Sequence, residues 1–327
     1  MVRLFRLLVL AVALAASCAV TSAGAGSRRD RSIAELKPLA TIKLGRTADW
    51  VAVTADAVWV GSTGPDAVNR IDPATNTLAA SVVVPGRPCA GLAAGSGSLW
   101  VPLCGPKPAL ARIDLATGRV LAVLDIGPAA PESGIAAGPD AVWLIIDKSA
   151  TLVRIDPADN SVRQRIAVPA GSFNPLYSDG IVWVTQAGGA ALTAVDAESG
   201  AVVATIKTGP HPRFLTAGAG AVWTLNQGDG SLSRVDAARR KLIAKIPLGT
   251  PGPGGDIAFA EGLVWTTFSK VPLAATDVAT NRLRRRWRGA GGDSLGIGFG
   301  AIWLTDYKAG TIARLDLNQA VRAARGK

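Results

Sequence analysis

The chain has 327 residues, a formal net charge of +11, one histidine and three cysteines. A single histidine, with no elbow motif around any serine, excludes a serine–histidine–aspartate triad. The basic charge favours contact with anionic envelope surfaces. Nucleic acid is not an expected partner, because basic and aromatic residues interleave only in RLRRRWR at 282–288.

The N-terminal stretch 1–23 has the layout of a secretory signal peptide: two arginines, an apolar run at 7–16 and then small residues. The apolar run is too short for a permanent membrane span. Two processing routes stay open, because a lipoprotein box ending at Cys18 would instead remove 1–17 and leave a lipidated cysteine. We expect an exported, periplasmic or extracellular protein that contacts the membrane only through such a lipid anchor, with a linker at 24–36.

A repeat follows, and it occupies residues 37–317. Each copy carries two small or apolar residues, a tryptophan and a β-forming residue, and later a marker aspartate. The tryptophans are Trp59, Trp100, Trp143, Trp183, Trp223, Trp265 and Trp303, and the marker aspartates are Asp72, Asp114, Asp156, Asp196, Asp236, Asp277 and Asp316. A period of about 40 residues, with four short β-rich runs per copy, is typical of β-propeller blades. The sequence therefore predicts an all-β, seven-bladed β-propeller of four-stranded antiparallel blades.

The third and fourth strands of each copy, c and d, are expected to meet in a turn that begins at the marker aspartate. Four residues later stand Asn76, Gly118, Asn160, Gly200, Arg240 and Asn281. Asparagine and glycine tolerate left-handed backbone, which predicts such a residue at the end of each turn. The aspartates are expected to accept backbone N–H groups and to lie within reach of arginines two residues earlier, namely Arg70, Arg112, Arg154, Arg234 and Arg314. Seven copies of one aspartate indicate a structural role.

The two ends of the repeat region predict how the ring closes. After the last marker aspartate no fourth strand follows, and we expect a basic tail at 318–327. The stretch KPLATIKLGRTADW at 37–50 matches the d strand AVVATIKTGPHPRF at 201–214. The N-terminal strand is therefore expected to complete the last blade. We interpret RLRRRWR at 282–288 as an edge strand with arginines on both faces rather than as a binding site.

Two stretches resemble known propeller families. VAVTADAVWVGSTGPDAVNRIDPATNTLAASVVVPGRP at 51–88 resembles YVTN-type β-propellers, and AIWLTDYKAGTIARLD at 301–316 is similar to virginiamycin B lyase-like (streptogramin lyase) propellers. The resemblance implies a propeller fold. Streptogramin lyases are understood to use a histidine, nearby glutamates and a divalent metal from late blades. Here the last two blades contain no histidine, and Glu261 is expected in a turn on the opposite face, so the lyase residues do not carry over.

Candidate ligand-binding residues come from the loops that surround the mouth of the central channel. At these positions the blades differ from one another, which is where individual function is expected. The candidates are Asp49, Trp50, Glu132, Phe173, Asn174, His211, Arg213, Phe214, Asp256 and Asp293. This mixture suits a small polar ligand, a peptide or an envelope protein. No catalytic residue is assigned.

The leading hypothesis is an exported, monomeric, non-enzymatic binding or interaction protein without a cofactor. The alternative is a metal-dependent lyase or lactonase of streptogramin lyase or gluconolactonase type. Its candidate ligands for calcium or magnesium are the hard oxygen donors of Glu132, Asn174, Asp256 and Asp293.

Cys89 and Cys104 flank the predicted hairpin CAGLAAGSGSLWVPLC. If its turn centres between Ser96 and Gly97, positions whose numbers sum to 193 face each other, which pairs the two cysteines. In an oxidising compartment this arrangement predicts a disulfide. Two free thiols are the alternative.

Overall fold

The computed structural model describes residues 29–147, 149–268 and 270–326. Its strands form seven sheets, and the innermost strands of neighbouring sheets contact one another around a closed ring. The predicted all-β, seven-bladed propeller is confirmed. The predicted signal peptide and the lipidation candidate Cys18 lie outside the described residues.

Strands β1 (Asp30–Ser32) and β2 (Ala40–Lys43), with a 3-10 helix at Ile33–Glu35 between them, precede the first complete blade. Blade 1 contains β3 (Thr47–Val53), β4 (Val58–Thr63), β5 (Ala67–Asp72) and β6 (Thr77–Val83). Blade 2 contains β7 (Arg87–Pro88), β8 (Ala93–Gly95), β9 (Ser98–Cys104), β10 (Ala109–Asp114) and β11 (Val120–Leu124). Blade 3 contains β12 (Ile135–Ala137), β13 (Val142–Ile145), β14 (Thr151–Ile155) and β15 (Val162–Ala167).

Blade 4 contains β16 (Ser172–Ser178), β17 (Ile181–Gln186), β18 (Ala191–Asp196) and β19 (Val202–Lys207). Blade 5 contains β20 (Pro212–Gly218), β21 (Ala221–Asn226), β22 (Ser231–Asp236) and β23 (Lys241–Pro247). Blade 6 contains β24 (Asp256–Ala260), β25 (Leu263–Phe268), β26 (Val271–Asp277) and β27 (Arg282–Arg288). Blade 7 contains β28 (Leu295–Gly298), β29 (Ala301–Asp306) and β30 (Thr311–Asp316), and helix α1 (Leu317–Arg325) follows it.

The repeated tryptophans form the core between the blades. All seven lie on the strand that pairs with the innermost strand of their blade, and all are almost fully buried. A buried indole contributes a large apolar surface, and its N–H needs an acceptor. In blade 5, for example, the Trp223 N–H donates to the carbonyl of Gly218 at 3.1 Å.

The turns that start at the marker aspartates have the predicted conformation. Asp72 accepts the backbone N–H groups of Ala74 and Thr75, and the other blades repeat this pattern. All six residues four positions later have positive φ, including Arg240 at 53°. The structural interpretation of the marker aspartates is therefore confirmed.

The left-handed backbone of Arg240 yields a stability prediction. The left-handed backbone costs arginine about 1 kcal/mol of stability, whereas asparagine tolerates it. Arg240→Asn is expected to raise the free energy of unfolding by about 0.5–1 kcal/mol in a urea titration. The reciprocal control, Gly118→Arg, places arginine at a position with φ of 72° and should lower it. An unchanged or lowered stability of Arg240→Asn would contradict the prediction.

The predicted ion pairs between the repeated arginines and their own marker aspartates are wrong for the described part of the chain. In four of these five arginines the side chain lies over the blade's tryptophan, as Arg112 does over Trp100 at 5.0 Å, which directs the guanidinium away from the marker aspartate. Arg70 and Arg154 instead pair with Asp56 and Asp140 in the turn before the tryptophan.

The other three arginines reach the next blade. Each donates to the carbonyl that follows the neighbour's marker aspartate and to the side chain of the neighbour's left-handed asparagine. The pairs are Arg112 with Asn160, Arg234 with Asn281 and Arg314 with Asn76. We call these three contacts the interblade latches. They join blade 2 to blade 3, blade 5 to blade 6 and blade 7 to blade 1.

The N-terminal segment closes the ring as predicted, because β2 pairs antiparallel with β30. A further strand differs from expectation. Residues 30–32, within the expected linker, form β1, which pairs parallel with β27. The interpretation of 282–288 as an edge strand is therefore wrong. Asp30 forms ion pairs at 2.7 Å with both Arg286 and Arg288, and these contacts hold β1 against β27.

The expected basic tail is mostly the helix α1. The Asp316 carboxylate caps it by accepting the Gln319 N–H at 2.6 Å. Leu317, Ala320 and Val321 are buried against blades 6 and 7. Among the described residues, no helix has the length and apolar character that crossing a membrane requires.

The predicted disulfide between Cys89 and Cys104 is confirmed, with Cα atoms 5.7 Å apart. The pairing of the hairpin strands differs, however, from the predicted rule that paired residue numbers sum to 193. Ala93 pairs with Trp100 as expected, but Arg87 rather than Cys89 pairs with Cys104. The break between β7 and β8 absorbs the two-residue offset.

Candidate functional site

Irregular pairing in the innermost strands places several of the candidate residues. The pairing of these strands shifts between Asp49 and Val51 in blade 1, between Ser172 and Pro175 in blade 4, and between Pro212 and Phe214 in blade 5. The residues within these shifts are Trp50, Phe173, Asn174 and Arg213, and each shift inserts one extra residue. A bulge turns a side chain out of the regular alternation, and bulges are frequent beside functional sites.

Trp50 is held in a left-handed conformation with φ of 58°, which is unfavourable for a bulky residue. The backbone N–H of Trp50 donates to the Asp49 carboxylate at 2.9 Å. The indole is buried, and its centroid lies 6.1 Å from the ring of Phe214. Blades 1 and 5 lie on opposite sides of the ring, so Trp50 reaches across the central channel. The two aromatic rings divide the channel.

A recess of about 230 Å³ lies on one side of Trp50. We call it the mouth recess; its walls include Asp49, Arg87, Glu132, Asp293 and Tyr307. A second recess of about 320 Å³, the channel recess, is lined by all seven blades and includes Asn174, Phe214 and Asp256. Trp50 lines both recesses.

Two carboxyl groups of the mouth recess, those of Asp49 and Asp293, have raised pKa values. Burial raises the pKa of Asp49 to about 8, and the carboxylates of Asp293, Asp256 and Glu132 add to the effect against the Trp50 N–H. Burial also raises the pKa of Asp293, against a hydrogen bond from the Tyr307 N–H. Asp49 is therefore mostly protonated and uncharged at pH 7. A cationic group that enters the recess favours the ionised forms of Asp49 and Asp293, and part of the interaction energy goes into removing the Asp49 proton.

Asp256 joins two blades. One of its carboxylate oxygens accepts the Ser294 hydroxyl at 2.6 Å and the Leu295 N–H at 3.1 Å, and the other accepts the Ile257 N–H at 2.8 Å. Burial raises its pKa, and these hydrogen bonds oppose the increase. The carboxyl group of Asp256 is therefore occupied by contacts within the propeller.

Arg213 connects three blades beside the mouth recess. Its guanidinium lies 3.8 Å from the centroid of the Phe173 ring and is ion-paired with Glu132 at 2.8 Å. Its carbonyl accepts the Asn174 side-chain N–H at 2.8 Å. Burial lowers the pKa of Arg213, and the charge of Glu132 opposes that change. Glu132 is thus partly neutralised, which leaves Asp49 and Asp293 as the acids of the recess without an ion pair among the described residues.

The remaining candidates are less closely connected. His211 is exposed, has φ of 52° and lines neither recess. Of the four metal-ligand candidates, Glu132 and Asp293 line the mouth recess, and Asn174 and Asp256 line the channel recess. The described residues contain no group of three or more His, Cys, Asp and Glu side chains that would hold an ion. Metal binding stays a prediction.

Sequence reasoning missed Arg87 and Tyr307, which line the mouth recess. Arg87 lies two residues before Cys89, and Tyr307 follows the strand that carries Trp303. Reading the loop after each tryptophan strand, rather than only the loop before it, would have found Tyr307.

Comparison with solved structures gives a crystal structure of BamB from Moraxella catarrhalis, with 15% sequence identity and a TM-score of 0.63. The alignment covers 85% of this chain and 96% of that chain. At this identity the likeness shows the fold alone. No protein-family model matches the chain, and no curated protein matches it. The chain is therefore a seven-bladed β-propeller, and its membership of the YVTN-type or virginiamycin B lyase-like families stays a prediction.

Proposed function

We propose that this protein is an exported, non-enzymatic binding protein of the cell envelope that receives a cationic group at the mouth recess. The observation that carries the proposal is Trp50, a bulky side chain that is held in left-handed backbone and lines the carboxyl-lined recess. Unfavourable backbone of this kind persists where the surrounding structure holds it, and it concentrates at binding sites. Glu132 and His211, with φ of 66° and 52°, show the same feature on the same rim.

The size of the recess restricts the ligand. A volume of about 230 Å³ lies below the range of about 300–1,000 Å³ that is usual for drug-sized ligands. It suits one amine or guanidinium group of a small polar ligand, or one basic side chain of a peptide or envelope protein. The Trp50 indole adds a surface on which such a cation is stabilised.

Export of the chain is supported by the disulfide. Disulfides persist in oxidising compartments and are rare in the cytosol. The bond between Cys89 and Cys104 lies at the rim, and Cys89 lines the mouth recess. A periplasmic or extracellular location fits this chemistry, and we propose that the protein acts there as a monomer.

A lysine tripeptide tests the proposal by isothermal titration calorimetry. We expect the tripeptide to bind and its form acetylated on the α-amino group and on all three side chains, which lacks the positive charges, not to bind. Asp293→Asn should weaken binding about tenfold, because a charge-assisted contact is worth about 1.5–3 kcal/mol. Asp179→Asn, at an exposed carboxylate in a turn of the opposite face, is the matched control. Equal binding of the two tripeptides, or binding of neither, would contradict the proposal.

One observation favours the metal-dependent alternative. The side-chain carbonyl of Asn174 is buried without a hydrogen-bond partner, and it lines the channel recess together with Asp256. A bound ion would provide that partner. Under our proposal neither calcium nor magnesium changes the melting temperature. An increase that Asn174→Ala or Asp293→Asn abolishes would instead support a metal-dependent lyase or lactonase.

A further inference from the structure

A groove on the outer side of blade 6 concentrates positive charge. It has a volume of about 230 Å³ and lies between the start of β27, the N-terminal segment and the end of α1. Five of the eight described residues that line it are arginines, and none of the eight has a carboxylate side chain. The arginines are Arg29, Arg282, Arg284, Arg285 and Arg325. We call it the arginine groove. Arg31 lines the neighbouring groove together with Arg285.

Contacts with backbone carbonyls hold two of these arginines in place. Arg325 donates to the carbonyl of Glu261 at 2.8 Å, and Arg285 donates to the carbonyl of Ala323 at 3.1 Å. Burial lowers the pKa of Arg285, the charges of Arg31 and Arg284 lower it further, and Glu35 opposes them. The fold thus holds several like charges close together.

Three acids near the groove, Asp30, Glu35 and Asp277, accept hydrogen bonds from other residues. Asp30 pairs with Arg286 and Arg288 on the adjacent part of β27. Glu35 accepts the Ser32 N–H at the start of the 3-10 helix, and Asp277 caps its own turn through Ala279 and Thr280. At Glu261 the backbone carbonyl, not the carboxylate, accepts from Arg325. Because the described lining of the groove contains five arginines and no carboxylate, its surface is positively charged.

The arginine groove and the mouth recess lie on opposite faces of the ring. The groove lies beside α1 and the turns that contain Glu261 and Asp277, whereas the loops between blades form the mouth. A ligand of one site does not contact the other, so the two sites can be tested separately.

We propose that the arginine groove is a binding site for a phosphate-bearing anion. Guanidinium groups are planar, remain charged at any physiological pH and donate paired N–H groups that match phosphate oxygens. Several of them around a concave space provide both the charge and the geometry for one phosphate or diphosphate group. The phosphate belongs either to a lipid headgroup or to a soluble compound.

Two probes distinguish these sources with the full exported chain. Inorganic pyrophosphate is followed by thermal shift and calorimetry, and vesicles of phosphatidylglycerol with phosphatidylcholine are followed by co-sedimentation against phosphatidylcholine alone. Binding to the phosphatidylglycerol vesicles assigns the site to lipid headgroups. Binding of pyrophosphate without vesicle binding assigns it to soluble phosphates.

Charge-matched variants show whether the groove is responsible. Arg282→Gln combined with Arg284→Gln is expected to weaken the binding at least about tenfold, because it removes two charge-assisted contacts. The control, Arg119→Gln with Arg165→Gln, removes two exposed arginines on blades 2 and 3 and should leave binding within about twofold of the original.

Arg325→Gln provides a second variant if the double variant does not fold, and circular dichroism checks each of them. Equal losses in the groove and control variants, or no binding of either probe, would overturn the assignment. Asp293→Asn at the mouth recess should leave phosphate binding unchanged, so this result does not depend on the proposed function.

Discussion

Asp49→Asn is expected to flatten the dependence of stability on pH. Burial raises the pKa of Asp49 to about 8 in the folded protein, well above the ordinary aspartate value of 3.8. Between these values the folded state holds a proton that the unfolded state has lost, so raising the pH destabilises the folded protein. From pH 5 to pH 8 this contribution amounts to at most about 4 kcal/mol, an upper limit because the carboxyl group is partly open to solvent. Asparagine keeps the acceptor for the Trp50 N–H and does not titrate.

Urea titrations at several pH values measure this effect. The free energy of unfolding of the original protein should fall from pH 5 to pH 8 more steeply than that of Asp49→Asn, and the two should come closest at pH 5. The exposed Asp179 again provides the control, since Asp179→Asn should leave the slope unchanged. Parallel pH profiles for the original protein and Asp49→Asn would show that this carboxyl group is not the cause.

Disruption of an interblade latch is expected to cost about 3 kcal/mol. Arg112→Ala removes two hydrogen bonds to the next blade and leaves buried acceptors without partners, and each such bond to a charged group is worth about 1.5–3 kcal/mol. Asn160→Gly preserves the left-handed backbone but removes one acceptor, so it should cost about 1.5 kcal/mol.

A double-mutant cycle in urea isolates this contact. In the Arg112→Ala background, Asn160→Gly should cost little, which gives a coupling energy of at least about 1 kcal/mol. Arg70→Ala is the matched control, because Arg70 also lies over its tryptophan, at 5.9 Å, but pairs with the exposed Asp56. It should cost less than Arg112→Ala. Additive effects of the two latch substitutions would contradict a direct contact.

The fold could be predicted because its determinants recur. Trp223 has six equivalents and Asp236 has six equivalents at one spacing, so each copy supports the others. The closing strand was recognised because 37–50 resembles a strand inside a blade. The arginine contacts were predicted wrongly because only local neighbours were considered. Yet asparagine stands in the turn wherever the preceding blade has a latch arginine, as Asn160 follows Arg112, and glycine stands there after Arg70 and Arg154.

For the candidate site, the sequence predicted which residues lie near the mouth of the channel but not their backbone conformation or their contacts. Counting back from each tryptophan identified Asp49 and Trp50, but the number of residues does not reveal a bulge or a left-handed backbone. Nor does it show that Trp50 meets Phe214 from the other side of the ring, because that contact depends on the diameter of the whole propeller. β1 was missed for a similar reason: three residues with one aspartate have no repeat to reveal them, and their partners are 256 residues away.

The contact between Trp50 and Phe214 places two aromatic rings within the axial channel. Under the proposed function, a terminus or a single projecting side chain of the ligand enters the mouth recess from the opening beside Arg87 and Tyr307. A ligand bound there leaves past the same residues. Its residence time is therefore governed by Arg87, Tyr307 and the other residues around that opening, which makes them the natural positions for changing the dissociation rate without altering the acids.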